Sequence, residues 1–496
     1  MATSKADEKR TKSIIAIAAS LSLIEVSILS LFSFFASVTS IDRNFAIFLI
    51  YTISTGALGF LGRQFFSKRR EFNASEIFQI IALNYGVVIV LCSALYLSLG
   101  VSTSFDGALL ESVSGLSTTS LTNVVPESLG KSVLLFRSLT QWLGGIGALI
   151  MVFVALPEAG RAEEFDVAFA KSFTSQKVSE TLLRLAKLYV LLTLGTCVAF
   201  VISGMTIFEG LCHSLTSVSS GGFSTKSMSI AGFGSSTIEW VVAIAMFFTG
   251  INVVILWWMW KRKFSRIAKN SEFRIYLLLV VTATILFSIW RRDVESFWAV
   301  IRKGFFLSSS LLSTTGFTTI SWDFPSGMAV IVLLLLGVGA MAGSSGGGYG
   351  SARVLQHYRF ARRELTQQLK PSSVRVVKIS GKVIDERALH RLHGFTAIFI
   401  SLVAAGAFII ALANPNSTPI EVLSFSLTCL ATAGPFIATS PVDSGIEFNT
   451  VTHIVSSMLM LLGRLSIFPI AYLGVAFIRT LREGPFRRIG YRAERS

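Results

Sequence analysis

Four short strings of serine, threonine and glycine carry the chemistry this chain can do. They read Glu111-Ser-Val-Ser-Gly-Leu-Ser-Thr-Thr-Ser120-Leu-Thr, Cys212-His-Ser-Leu-Thr-Ser-Val-Ser-Ser-Gly-Gly222-Phe-Ser-Thr, Ser310-Leu-Leu-Ser-Thr-Thr-Gly316-Phe-Thr-Thr and Ser426-Leu-Thr-Cys-Leu-Ala-Thr-Ala-Gly434-Pro. Aligned on Ser120, Gly222, Gly316 and Gly434, they recur at spacings of 102, 94 and 118 residues. Backbone carbonyls of such loops can replace the hydration shell of a cation. Glycine permits the angles that turn successive carbonyls toward one axis. Serine and threonine hydroxyls satisfy backbone groups that remain. The coordinating backbone is expected at Ser117, Thr118, Thr119, Ser120 and Leu121 (with Thr122), at Ser219, Ser220, Gly221, Gly222 and Phe223, at Ser313, Thr314, Thr315, Gly316 and Phe317, and at Thr432, Ala433, Gly434 and Pro435.

Such loops need elements to hold them. Irregular backbone survives at membrane depth only where protein buries it or where it lines a polar cavity. Each string follows a short apolar segment and lies between two longer ones, so the expected unit is span, half-helix, loop, span. The half-helix turns its negative C-terminal end toward the loop, which favours a cation there. Asp106, Glu209 and Glu421 lie 14, 13 and 13 residues before the aligned positions and suit the positive ends of those half-helices. The third unit has Lys303 at that offset and breaks the pattern.

The composition agrees with a membrane chain. Of 496 residues 52% are hydrophobic and 15% charged, against about a quarter charged in soluble proteins; the mean hydropathy is +0.66. Ile14–Val38, Ile77–Leu99, Ser132–Leu156, Leu188–Ile207, Thr237–Trp260, Phe395–Ala413 and Ile454–Ile478 are long enough to span. Residues 45–62 add a second N-terminal span. Tyr276–Trp290 and Met328–Met341 span only if flanking residues join them. The first apolar run is too long for a cleavable signal peptide.

Basic residues sort into alternate connections. Residues 1–12, 63–75, 157–187, 261–274, 351–393 and 479–496 hold 35 of the 44 lysines and arginines, which places both termini and these loops in the cytoplasm. The net charge of +16 then reports orientation and contact with anionic lipid of the bilayer, not nucleic acid. Cys92, Cys197, Cys212 and Cys429 stand singly in apolar surroundings and form neither a disulfide framework nor a metal site. No His-Glu-x-x-His string is present, and His213 beside Ser214 makes no nucleophile–base pair by adjacency alone. An enzyme is not expected. Carriers with alternating access use two inverted halves, whereas four parallel units favour a pore.

At these residues the chain resembles the Trk/Ktr/HKT superfamily of potassium transporters, and most nearly its bacterial TrkH branch. The resemblance rests on Phe136-Arg-Ser-Leu-Thr-Gln-Trp-Leu-Gly-Gly-Ile-Gly147, Ser217-Val-Ser-Ser-Gly-Gly-Phe-Ser224, Ser313-Thr-Thr-Gly-Phe-Thr-Thr319, Ala342-Gly-Ser-Ser-Gly-Gly-Gly348 and Leu461-Leu-Gly-Arg-Leu465. The order and spacing of these strings are specific, although none is decisive alone. The resemblance implies an all-α polytopic protein with four helix–pore loop–helix repeats around a pseudo-fourfold pore, preceded by two N-terminal helices. The expected units are 1–70, 71–182, 183–270, 271–388 and 389–496. It implies potassium uptake across the inner membrane, a homodimer, and a cytoplasmic nucleotide-binding regulatory subunit of the TrkA type. It also implies an intramembrane gating loop at Gly343, Ser344, Ser345, Gly346, Gly347 and Gly348, and a gating arginine, Arg464, projecting below the filter.

Three departures bear on function. Ser120 stands where bacterial members usually carry the filter glycine. Serine resists positive φ at about 1–2 kcal/mol, so it either turns one carbonyl away or adds a hydroxyl to the pore. In the plant branch serine here accompanies sodium transport, which leaves a weakly selective or sodium-conducting pore open. Ser466 and Gly350 replace the glutamate and lysine frequent in the bacterial pattern and touch the detail of gating. Proton- or sodium-coupled potassium symport would leave the fold unchanged. Arg137 follows the first pore loop, with Glu111, a filter carbonyl or the surface as its possible settings. Glu25, in the first span, is expected to bond to another helix.

Overall fold

The structure, a computed structural model, describes residues 2–66, 74–152, 178–291, 296–320, 324–370, 376–379, 382–437 and 446–465. The basic stretches 157–187 and 479–496 and the position Ser466 lie wholly or largely outside them. Helices dominate, because the apolar runs satisfy their own backbone hydrogen bonds internally. A two-residue antiparallel pair, β1 (Lys378–Ile379) and β2 (Lys382–Val383), is the strand structure among the described residues.

Two N-terminal helices, α1 (Ala2–Ser40) and α2 (Phe45–Phe66), pack on each other and on the first repeat. Asn84 donates from Nδ2 to Glu25 Oε2 at 2.9 Å and to Ser22 Oγ at 3.0 Å. Glu25 thus makes the interhelical bond expected of a carboxyl inside a span.

Four units of one pattern follow. The first is α3 (Ala74–Ser98), a short pore helix α4 (Phe105–Leu116) and α5 (Lys131–Ile150). The second is α6 (Val178–Ile202), pore helix α7 (Ile207–Val218), α8 (Ser236–Thr249) and α9 (Val253–Trp260), with α10 (Phe264–Lys269) leading on. The third is α11 (Ser271–Arg291), pore helix α12 (Phe297–Ser313), α13 (Ser326–Val338) and α14 (Ser351–Leu369). The fourth is α15 (Glu386–Ala413), pore helix α16 (Pro419–Ala431) and α17 (Thr450–Leu465). Among the described residues seven helices are long and apolar enough to cross a membrane, or eight with one bent pair. Hydrophobic residues at 40–80% exposure, such as Ile50, Leu194, Leu278 and Phe408, sit on these outer helices. Within the apolar core, buried serines and threonines concentrate on the pore helices and their loops, where polar backbone needs partners.

The expected spans need three corrections. Thr237–Trp260 is not one helix: α8 and α9 meet at 108°. A polar side chain set into the hydrogen-bond ladder makes the bend. Asn252 Oδ1 accepts from Val254 N at 2.8 Å and caps α9, while its Nδ2 donates to the Ala342 carbonyl. The apolar run Leu188–Ile207 is helical only to Ile202, and Ile207 already opens a pore helix. Tyr276–Trp290 does lengthen to a span, Ser271–Arg291, but Met328–Met341 does not. Its helix stops at Val338, where Gly339 takes φ 66°.

Candidate functional site

Three of the four pore helices begin by one rule, and all four end by another. Ser104, Thr206 and Thr418 cap α4, α7 and α16. Glu209 and Glu421 complete capping boxes with Thr206 and Thr418, each cap contributing about 1 kcal/mol. The carboxylates expected at these positive ends are therefore present. The third pore helix is longer, so Lys303 lies inside it and the preceding residue, Arg302, pairs with Glu239 of α8 at 2.7 Å.

At the other end all four helices close with one hydrogen-bond pattern. Thr119 N donates to Ser114 O, Gly221 N to Thr216 O, Thr315 N to Ser310 O and Ala433 N to Thr428 O, at 2.7–3.2 Å. This six-to-one bond defines a Schellman end, whose turning residue adopts left-handed angles and is usually glycine. Here it is Thr118, Ser220, Thr314 and Thr432, with φ of 57°, 55°, 56° and 52°. Branched residues rarely accept such angles, and strain of about 1–3 kcal/mol per residue gathers at functional sites.

Two residues further on the chain turns again: φ is 65° at Ser120, 82° at Gly222, 79° at Gly316 and 90° at Gly434. Ser120 therefore keeps the same turn as the glycines. Of the two alternatives for Ser120, a carbonyl turned away or a hydroxyl added to the pore, the retained turn fits the second. Its hydroxyl instead enters the ring, since a Cβ built on Gly434 would lie 2.1 Å from Ser120 Oγ and one on Gly222 3.1 Å from it.

The loops touch head to tail. A Cβ on Gly222 would meet Thr315 O at 1.8 Å, one on Gly316 would meet Ala433 O at 2.2 Å, and one on Gly434 would meet Thr119 O at 2.3 Å. The second loop thus leans on the third, the third on the fourth and the fourth on the first. This cyclic order makes one ring from four segments far apart in sequence. Above it opens a cavity of about 500 Å³ lined by Ser120, Gly222, Gly316 and Gly434 among others.

Behind the first loop lies Arg137, 1% exposed, with Nη2 at 3.2 Å from Glu111 Oε2 and 3.0 Å from Thr122 Oγ1. Its guanidinium lies 4.0 Å from the centre of the Phe223 ring in the second loop. Of its three possible settings the structure selects the pair with Glu111. Asp106 accepts from His453 Nδ1 at 2.8 Å, tying the first pore helix to α17. That bond, together with one from Ser104, holds the Asp106 carboxyl well below the usual range.

Beneath the ring runs the glycine-rich segment between α13 and α14. Gly347 N donates to Thr314 Oγ1 at 2.7 Å and Gly348 N to Ala431 O at 2.9 Å, and the Ser345 and Ser220 hydroxyls lie 3.0 Å apart. Its start is held by the break between α8 and α9: Met341 N donates to Gly250 O and Val253 N to Gly343 O, both at 3.0 Å. Glu272 of α11 joins its two ends, because Oε1 accepts from Ala342 N at 2.8 Å and from Ser351 Oγ at 2.9 Å. Arg464 donates from Nη1 to Ser345 O at 2.9 Å and from Nη2 to Gly144 O at 3.0 Å. It is 8% exposed and lines, with Gly343 and Gly346, a cavity of about 120 Å³. Gly350 takes φ 99°, which a lysine side chain would resist.

The expected loop residues therefore come together, as do the glycine segment and Arg464. Sequence reasoning missed the four strained helix ends, the Asn252 break and Glu272. Thr118, Thr314 and Thr432 carry no sequence signal for positive φ, since threonine ordinarily avoids it.

Four re-entrant loops closed into a ring within one polytopic chain define a membrane pore protein with pseudo-fourfold architecture. The chain belongs to the TrkH family: the model of that family, described as cation transport protein, matches residues 41–478. The Trk system potassium uptake protein TrkH of Salmonella typhimurium is 30% identical over 384 residues, covering 74% of this chain and 78% of that protein. The TrkH protein of Halomonas elongata is 27% identical over 434 residues, covering 84% and 88%. The crystal structure of the potassium transporter TrkH from Vibrio parahaemolyticus superposes with a TM-score of 0.81 at 24% identity, covering 93% of this chain and 98% of that one, which shows the shared fold.

Proposed function

We propose that this chain is the pore-forming subunit of a potassium-uptake system. The observation that carries the reading is the closed ring of loops, which takes left-handed angles at eight corresponding positions, five of them not glycine. Backbone held in such angles is pre-organised to coordinate a dehydrated cation, and the surrounding fold offsets the strain. Ser117–Thr122, Ser219–Phe223, Ser313–Phe317 and Thr432–Pro435 form the filter. The segment Gly343–Gly348 and Arg464 control passage below it. The membrane potential drives entry at about 2.3 kcal/mol per charge per 100 mV.

The repeats divide the chain at 1–70, 71–182, 183–270, 271–388 and 389–496. Both termini lie in the cytoplasm of an inner-membrane protein. Potassium is the transported ion, and no organic cofactor or catalytic activity is assigned to the chain. Two relatives named as Trk system proteins support a cytoplasmic TrkA-type partner, docked on basic faces such as that of α14, and a homodimer in the bilayer. Retention of the glycine-like turn at Ser120 favours potassium preference over sodium conduction. The test is uptake of rubidium, a potassium tracer, and of sodium into proteoliposomes holding the purified chain. Rubidium uptake in excess of sodium supports the reading, and sodium uptake equal or larger overturns it.

A further inference from the structure

We infer that Gln141 positions the second filter loop, clamping the Gly221 carbonyl, and that this clamp sets how the pore discriminates between cations. Gln141 lies on α5, outside every filter loop, and is fully buried. Its Nε2 donates to Gly221 O at 3.0 Å, and its Oε1 accepts from Phe223 N at 3.0 Å. The side-chain amide thus pairs with one turn of filter backbone as a strand would. The inference rests on the filter reading above and assigns it a further residue.

Three observations make the contact specific. First, Gly221 corresponds to Thr119, Thr315 and Ala433, so its position accepts a side chain in the other three loops. Its φ is not among the positive values, and the backbone does not demand glycine there. What forbids a side chain is Gln141, whose Oε1 and Cδ would stand 2.2 and 2.4 Å from a Cβ on Gly221. In the first and third loops the residue at this position closes locally instead, Thr119 on Ser117 and Thr315 on Ser313, each at 2.7 Å.

Second, the residues that correspond to Gln141 in two other repeats are apolar. A Cβ on Gly144 would meet Leu116 O at 1.9 Å, and one on Gly463 would meet Leu430 O at 2.0 Å, so these glycines are equivalent. Three residues earlier stand Gln141 and Met460. Gly145 and Gly250 are matched in the same way by the hydroxyls of Tyr189 and Tyr276, each at 2.2 Å, which pairs Gln141 with Met246. Both methionines are fully buried. Methionine offers no amide, so these repeats have no such clamp.

Third, the clamped carbonyl is the one at the odd corner of the ring. Thr315 O, Ala433 O and Thr119 O each approach a glycine of the preceding loop. The same order assigns Gly221 O to position 120, where serine brings a Cβ and a hydroxyl. A donor that fixes Gly221 O keeps this corner in register despite the larger residue. It also withdraws one lone pair from the path, giving the ring one carbonyl of different field strength.

The test compares native protein with Gln141→Met in proteoliposomes, reading the ratio of rubidium to sodium uptake and the total. Loss of a buried hydrogen-bonded pair at the coordinating backbone is expected to change the ratio by about tenfold while uptake persists. A ratio unchanged from native overturns the inference, because a merely structural role would lower both fluxes together. The clamp is also read without flux, on melting of the purified full chain. Gly221→Ala alone is expected to lower the melting temperature, and Gln141→Ala is expected to relieve that loss in the double variant. Additive losses overturn the clamp. If the native chain passes neither ion, the proposed function fails, and the melting comparison alone decides the clamp.

Discussion

Arg137 and Glu111 form an ion pair at 3.2 Å with side-chain exposures of 2% and 0%. The two charges stand on α5 and the first pore helix, behind the loop that carries Ser120, and Arg137 also covers the Phe223 ring. Burying both charges is costly, and the pair persists because each compensates the other.

Glu111→Gln leaves Arg137 buried without its counter-charge. The expected loss of stability is about 3–5 kcal/mol, read as an earlier melting transition of the detergent-solubilised protein. The double change Glu111→Leu with Arg137→Met is expected to recover much of it. A double variant no better than the single one would contradict the pairing.

Glu272 ties both ends of the intramembrane segment through Ala342 and Ser351. Glu272→Ala frees those ends, so rubidium uptake by the chain alone is expected to rise above native. Unaltered uptake would show that Arg464 and the filter contacts hold the segment unaided.

Ser120→Gly replaces a residue at φ 65° by one that accepts the angle. The expected gain in stability is about 1 kcal/mol. Because serine already keeps the turn, the preference for rubidium over sodium is expected to sharpen rather than appear anew. A reversal from sodium to rubidium preference would mean that the hydroxyl governs selection.

His357 on α14 lies 2.7 Å from Tyr349 Oη and 2.8 Å from Thr396 Oγ1, with the His393 ring 5.2 Å away. Burial, and then His393, push its pKa below the usual histidine value. The folded form therefore takes up its proton later than the unfolded chain. The contact of α14 with α15 is fully favoured above the ordinary histidine range and weakens as the pH falls through it. Native protein is expected to melt earlier at pH 5.5 than at pH 8, near the pH window set by a pKa of about 6.5, and His357→Gln is expected to reduce that difference. Equal pH dependence in both would contradict the assignment.

The repeat was legible because it is written in apolar length and in glycine. Gly222, Gly316 and Gly434 announce their turns, and Ser120 was found by alignment to them. The pairing of Arg137 with Glu111 stood among three alternatives that spacing could not separate, since they meet across 26 residues of chain. The bend at Asn252 was illegible because Val253-Val-Ile-Leu-Trp-Trp-Met-Trp260 reads as uninterrupted span. Its cause is a carbonyl contributed by Ala342, 90 residues away. Gln141 was visible as part of a family string, but its role depends on a ring whose corner only folding creates.

The strained helix ends have one consequence beyond shape. Ser220 and Thr314 spend their hydroxyls on the glycine segment, and Gly347 lies against Thr432 Oγ1, while the buried hydroxyls of Thr118 and Thr432 have no hydrogen-bond partner among the described residues. The same four turns that aim the filter thus present their hydroxyls to the segment beneath it, two already engaged and two still open, so the ring and the barrier under it are fastened by unequal stitches.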